Sequence, residues 1–128
     1  MARYSIILPV KNGGNYLREC VQGILAQTVQ DFELLVLENA STDNTLEILN
    51  SFNDQRIKIF PASAPLSMEK NWQRAVGLSK SEFMTLIGHD DVLDKDYLAS
   101  MQELIAGYPD ASLYQTHFRY IDSSGNVI

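Results

Sequence analysis

Gly88-His89-Asp90-Asp91 places two adjacent carboxylates directly after the apolar run Phe83-Met84-Thr85-Leu86-Ile87. Neighbouring acids repel each other unless a cation or a positive partner lies between them. A run this short and apolar predicts a strand buried on both faces, as in a parallel sheet. Open α/β folds collect ligands at the carboxyl ends of such strands. Oxygen donors of this kind suit Mg2+ or Mn2+, with water and ligand phosphates completing an octahedron. The plainer role for Asp90 and Asp91 is to cap the following segment, although Asp94 is already available for that.

Parallel topology puts every βα loop on one sheet edge, so Pro9–Asn15, Glu38–Asp43 and Gly88–Asp91 are expected to converge. Glu38, Asp90 and Asp91 then surround one cleft. Lys70 and Arg74 lie one helical turn apart and can pair with phosphates, or form a solvated face beside Glu69. Lys11 follows the first strand and faces the same two alternatives. Gly13-Gly14 lacks both the third glycine of a dinucleotide fingerprint and the ending of a phosphate-binding P-loop, so it reads as a turn. His89 reads first as a hydrogen-bonded side chain and second as a metal ligand. His117 has no acidic partner at metal-site spacing, and no nucleophile–His–acid order stands out.

The elements that must position these residues alternate four times between strand and helix. Ser5–Val10 is a first strand, stopped by Pro9 and the turn-rich Lys11–Asn15, before a helix with Leu17, Val21, Ile24 and Leu25 at helical spacing. Phe32–Leu37 is the second strand, followed by a loop of capping residues and a helix with Leu46, Leu49 and Phe52 on one side. Arg56–Phe60 alternates as a strand near an edge does. Ser67 caps a helix whose predicted apolar stripe is Met68, Trp72, Ala75 and Val76, with Trp72 assigned to the core. After the Phe83–Ile87 strand, Asp94 is expected to cap a helix bearing Tyr97, Leu98, Met101, Leu104 and Ile105, closed by Gly107 and Pro109. Ala111–Ile121 reads as a long strand, Asp122–Asn126 as a hairpin turn, and Val127-Ile128 as the start of a returning strand. That ending looks cut rather than finished.

The fold class expected is therefore α/β, a mostly parallel sheet sandwiched by helices. The 128 residues suffice for a single domain, 1–128, and 45 % hydrophobic content excludes disorder. A net charge of −6 and a pI near 4.7 argue against unspecific nucleic-acid binding. Cys20, alone of its type, permits no intrachain disulfide and reads as a semi-buried structural thiol. No signal-peptide pattern is present, and no apolar stretch approaches the roughly 20 residues of a membrane span. A cytoplasmic protein is the simple expectation, peripheral to the inner face of a membrane in a longer form.

Taken together, these residues resemble the family 2 glycosyltransferases of the GT-A fold. Ser5–Gly13 is similar to that family's opening strand and turn. Ala26-Gln27-Thr28, Asp31-Phe32-Glu33 and Glu38–Thr45 follow as its next landmarks, and Leu66–Asn71 resembles its basic-Asn helix start. Gly88–Leu93 falls where the family carries Asp-x-Asp. The resemblance implies an inverting, metal-dependent transfer of sugar from a nucleotide-diphosphate sugar, a UDP-sugar first, to a glycan or lipid-linked acceptor in polysaccharide synthesis. It implies that Pro9, Val10, Lys11, Asn12 and Glu38 hold the nucleoside and that Lys70 lies near the base or diphosphate. Gly88, His89 and Asp90 then line the donor, and Asp90, with Asp91 beside it, ligates Mn2+ or Mg2+.

The chain departs from the family pattern at Gly88, Glu38 and Asn39, where Asp is usual, at Lys11 for an aromatic residue and at Lys70 for Arg. Lys70 keeps the charge and loses bidentate geometry. The general base is expected beyond Ile128, so no catalytic residue is assigned, and the chain is expected to bind donor with little or no transfer. The competing expectations are a non-catalytic nucleotide-sugar-binding module and a receiver-like phosphoacceptor domain. The latter carries its acid pair after the first strand, where this chain has Val10-Lys11-Asn12.

Overall fold

A computed structural model describes residues 2–128. Four parallel strands, β1 (Tyr4–Val10), β2 (Phe32–Glu38), β3 (Ile57–Pro61) and β4 (Phe83–Leu86), form a sheet of order β3-β2-β1-β4. Helices α1 (Leu17–Leu25), α2 (Thr45–Ser51), α3 (Met68–Leu78) and α4 (Tyr97–Gly107) alternate with them. Every residue of β1 is buried, because both faces of this central strand are covered. Its even-numbered side chains, among them Ile6 and Leu8, pack with Leu34 and Val36 against α1, α2 and α4. Ile7, Leu35 and Leu37 face the other way, toward Ala75 and Leu78 of α3.

Pro9 does not stop β1. It pairs in register with Leu37, and β1 continues to Val10. The carbonyl of Val10 accepts from Asn39 on the β2 side, whereas that of Ile7 accepts from Ile87 on the β4 side. Alternation therefore turns Pro9 toward β4, which has already ended opposite Ile7. The missing N–H falls where no acceptor strand remains, so proline is tolerated there.

Several expectations need correction. β4 is an edge strand, not a doubly buried one: Met84 and Leu86 are exposed. The helix after β2 turns Ile48 and Leu49 inward and leaves Leu46 exposed. On α3, Met68, Trp72 and Val76 are 70 %, 44 % and 79 % exposed, so the predicted stripe faces solvent and Trp72 is not core. The buried face of α3 is carried by Asn71 and Ala75. Asp94 accepts from Asp96 N in a tight turn, and α4 begins later, flanked by Asp96 without a local side-chain cap. Residues 111–120 form no strand, and of them only Tyr120 takes a backbone bond across the hairpin, from Ile128 N. The hairpin turn does form, through Asp122 and Asn126 and one antiparallel bridge between Ile121 and Val127. No helix of the described residues is long and apolar enough to cross a membrane.

Candidate functional site

The ends of β1 and β2 are stitched together by small polar residues. Asn12 adopts φ +54°, a left-handed conformation that asparagine tolerates better than most residues. From it the Asn12 amide donates to Ser41 Oγ at 2.9 Å, and Asn12 Oδ1 accepts from Thr42 N at 2.8 Å. Gly13 N donates to Thr45 Oγ1 and Gly14 N to Asp43 Oδ2, each at 3.0 Å. A Cβ on Gly14 would lie 2.3 Å from Asn44 Oδ1 and 2.9 Å from Asp43 Oδ2, so a side chain there would displace both. Hydrogen bonds hold the Asp43 carboxyl below the usual carboxylate range, first from the Thr45 hydroxyl, then from backbone amides.

Glu38 closes β2 and is only 1 % exposed. Its Oε1 accepts from Ser41 N at 2.7 Å, and Ala40 between them takes φ +49°. Asn39, Asn71 and Arg74 fasten the start of α3 to this strand end. Asn71 Nδ2 donates to the Leu37 carbonyl at 3.1 Å, and Arg74 donates to Asn71 Oδ1 and to the carbonyls of Glu38 and Phe60. Arg74 is therefore not simply a solvated charge beside Glu69: it satisfies strand-end carbonyls. Lys70 follows the Ser67 cap on the same helix and is exposed. Lys11 is exposed at the end of β1, and neither lysine forms an ion pair among the described residues.

The third loop joins the other two through His89, whose ring packs on Gly13. A Cβ there would stand 3.0 Å from His89 Cδ2. Beneath the loop, Cys20 Sγ lies 3.6 Å from the Gly88 carbonyl. Cys20 is fully rather than partly buried, and burial, with the charges of Asp91 and Asp90 adding, pushes its thiol up to about 12. Both acids are thus close enough to act on the α1 thiol.

Position 88 is where the two acids meet. A Cβ on Gly88 would lie 3.0 Å from Asp91 Oδ2 and 3.2 Å from Asp90 Oδ1. Both carboxylates turn into the space that a side chain at 88 would fill, a hard-oxygen pair suited to Mg2+ or Mn2+. No group of three or more His, Cys, Asp or Glu gathers at a metal-binding spacing among the described residues. A cation held here would complete its coordination with water and ligand oxygens. His117 lies apart, sharing a shallow depression with Leu104 and Tyr108. A cavity of about 600 Å³ also lies elsewhere, along β4 between Met84, Leu86 and Tyr114. It lacks the converging loop ends and acid pair that mark the cleft.

The structure thus brings Pro9, Val10, Lys11, Asn12, Glu38, Gly88, His89, Asp90 and Asp91 to one edge of the sheet and sets Lys70 on the neighbouring helix. Sequence reasoning left unassigned two residues that hold this edge together, Asn39 and Asn71, and a third, Gln27, that grips the far end of the acidic loop, each at most 3 % exposed. For Asn71 the signal was a polar residue four positions before Ala75 on the same helix face; Gln27 and Asn39 lie just past the ends of α1 and β2.

The model of glycosyl transferase family 2 matches residues 5–127. Glycosyltransferase GlyG of Streptococcus pneumoniae is 27 % identical over 95 % of this chain and 41 % of its own length. The crystal structure of S. aureus TarS in complex with UDP-GlcNAc superposes with a TM-score of 0.79 at 22 % identity, over 92 % of this chain and 38 % of that one. The mannosyltransferase PcManGT from Pyrobaculum calidifontis, in complex with GDP-Man and Mn2+, gives a TM-score of 0.73 at 20 % identity, over 82 % of this chain and 32 % of that one. The chain spans less than half the length of each of these proteins.

Proposed function

The chain belongs to glycosyl transferase family 2, and from that premise we propose that it is the donor-binding part of an inverting, metal-dependent glycosyltransferase. The observation that carries this reading is the meeting of three strand-end loops, with the carboxylates of Asp90 and Asp91 turned into the space beside Gly88. In this reading Pro9, Val10, Lys11 and Asn12 form one wall of a nucleoside pocket, and Glu38, fixed by Ser41, forms its floor. Gly88 and His89 line the donor, and Lys70 supplies positive charge toward the diphosphate. Asp90, with Asp91 beside it, holds Mn2+ or Mg2+, which offsets charge on the departing nucleoside diphosphate.

TarS binds UDP-GlcNAc and PcManGT binds GDP-Man with Mn2+; for this chain a UDP-sugar is the proposed donor. The acceptor is a glycan or a lipid-linked glycan, as in polysaccharide synthesis. Inverting transfer requires a base within hydrogen-bond reach of the acceptor hydroxyl. The carboxylates of this cleft are committed: Glu38 to Ser41, Asp43 to Thr45 and Gly14, and the acid pair to the cation. Donor binding without transfer is therefore the activity assigned to this chain.

Calorimetric titration with UDP, GDP and dTDP, each with and without Mn2+, tests the proposal. One nucleotide is expected to bind tightest, and only with metal. Failure of all of them to bind, or binding indifferent to metal, would overturn it.

A further inference from the structure

One line of residues from α1 follows the acid-bearing loop along its whole length. Cys20 lies under the Gly88 carbonyl. Gly23 lies against the next stretch, where a Cβ would stand 3.3 Å from both the Leu93 carbonyl oxygen and Val92 Cγ1. Gln27, just past the helix end and 2 % exposed, grips the far end. Its Nε2 donates to the Asp94 carbonyl at 2.6 Å and to the Gly23 carbonyl at 3.2 Å, and its Oε1 accepts from Leu98 N at 3.0 Å. Thr28 N adds a bond to the Lys95 carbonyl at 3.0 Å.

The bond to Leu98 explains how α4 starts without a cap of its own. The first amides of a helix have no partner within it. Asp96 makes no side-chain cap bond, and Asp94 spends its carboxylate on Asp96 N. Leu98 N is instead capped from the segment just past α1, by the same amide whose NH2 group holds the Asp94 carbonyl. Gln27 thereby ties the exit of the acidic loop, the start of α4 and the end of α1 into one unit. Every polar atom of its side chain is used, so no substitution preserves all three bonds.

We infer that Gln27 is a positioning residue for the acid pair, setting the loop from Gly88 to Leu98 so that Asp90 and Asp91 face one cation. This rests on the donor-site reading above, in which those carboxylates hold Mn2+ or Mg2+. The role is indirect, through the loop backbone, as groups behind metal ligands commonly act.

The test compares wild type with Gln27→Ala and Gln27→Glu. Hydrogen exchange is measured first on the ligand-free chain, followed by UDP titrations across a range of Mn2+ concentrations. In Gln27→Ala, the Leu98 amide and the amides of 88–98 lose protection, while those of β1 and β2 keep it. The Mn2+ concentration needed for half-maximal UDP binding rises about 10-fold, the size expected for loss of a group supporting metal ligands. Saturating Mn2+ restores the wild-type UDP affinity, which a merely structural defect would not allow. Gln27→Glu keeps the acceptor for Leu98 but sets a carboxylate oxygen against the Asp94 and Gly23 carbonyls, so Leu98 stays protected while the amides of 88–95 lose protection and the Mn2+ requirement rises as in Gln27→Ala. Unchanged exchange over 88–98 in Gln27→Ala, or equal loss of protection throughout the sheet, would overturn the inference. Absence of Mn2+-dependent UDP binding in wild type would instead sink the donor-site reading, and the exchange result would still decide whether Gln27 sets the loop.

Discussion

Asn39 and Leu66 exchange two hydrogen bonds: Asn39 Nδ2 donates to the Leu66 carbonyl and Leu66 N donates to Asn39 Oδ1, both at 2.8 Å. The side-chain amide pairs with the backbone much as a neighbouring strand would, and it pins the segment before α3 to the end of β2. Lys70, the nearest cation on α3, is placed by that attachment. Truncation to Asn39→Ala leaves a buried donor and acceptor without partners, and should cost about 1–3 kcal/mol. Urea unfolding measures the loss, and retention of wild-type stability would show that the pair contributes nothing net.

Asp43 gives the β1–β2 junction a pH dependence. Its folded carboxyl titrates below the unfolded value of about 3.9, because Thr45 and the amides of Gly14 and Thr45 donate to it. Its contribution to stability is therefore full above the unfolded pKa and is lost as pH falls through the folded pKa. Melting temperatures of wild type and Asp43→Ala should differ at neutral pH and converge in acid. A gap independent of pH would contradict the assignment.

Gly88 is the departure from Asp-x-Asp nearest the acid pair. A side chain there would enter space already used by Asp90 and Asp91. Gly88→Asp adds a third carboxylate to that space, so the variant should melt below wild type in a chelator and recover most of the difference in Mn2+. Gly88→Ala carries only the steric part and should gain no extra stability from Mn2+ beyond that of wild type. Equal melting of Gly88→Asp with chelator and with Mn2+ would show that the carboxylates do not share a cation.

Trp72 is the chain's one tryptophan, so its fluorescence reports on α3 alone. At 44 % exposure it should be readily quenched by acrylamide in the native state. Trp72→Ala should cost less than about 1 kcal/mol, as exposed positions usually do. A blue-shifted, unquenchable emission would return this residue to the core.

Sequence patterning made the strand order of events readable wherever burial is strong. Ser5–Val10 and Phe32–Leu37 are apolar because both faces of β1 and β2 are covered, and their loops predicted the converging edge. The acids after β4 were legible because the apolar run Phe83–Ile87 marks a strand, although that strand lies at the sheet edge with Met84 and Leu86 exposed. Patterning failed where polar side chains carry packing. On α3, Met68, Trp72 and Val76 lie at i, i+4 and i+8, a convincing apolar stripe, yet Asn71 and Ala75 are the buried pair. Asn71 goes inward because it completes the Leu37 carbonyl, which hydrophobicity does not register. Gln27 was visible only as part of a family landmark, since its three partners lie at separations from 4 to 71 residues. The strand expected over 111–121 pairs only at its end, where Ile121 bridges Val127, and a ladder needs both sides.

The central claim is that Asp90 anchors a metal-dependent nucleotide site at the meeting of the three loops, and calorimetry of UDP with Mn2+ on Asp90→Ala tests it most directly. Asp90 is exposed, so the variant should fold as wild type does. The account predicts that it loses Mn2+-dependent binding, with affinity falling by about 10-fold or more, while its melting temperature without ligand is unchanged. Wild-type affinity and wild-type metal dependence in Asp90→Ala would contradict it.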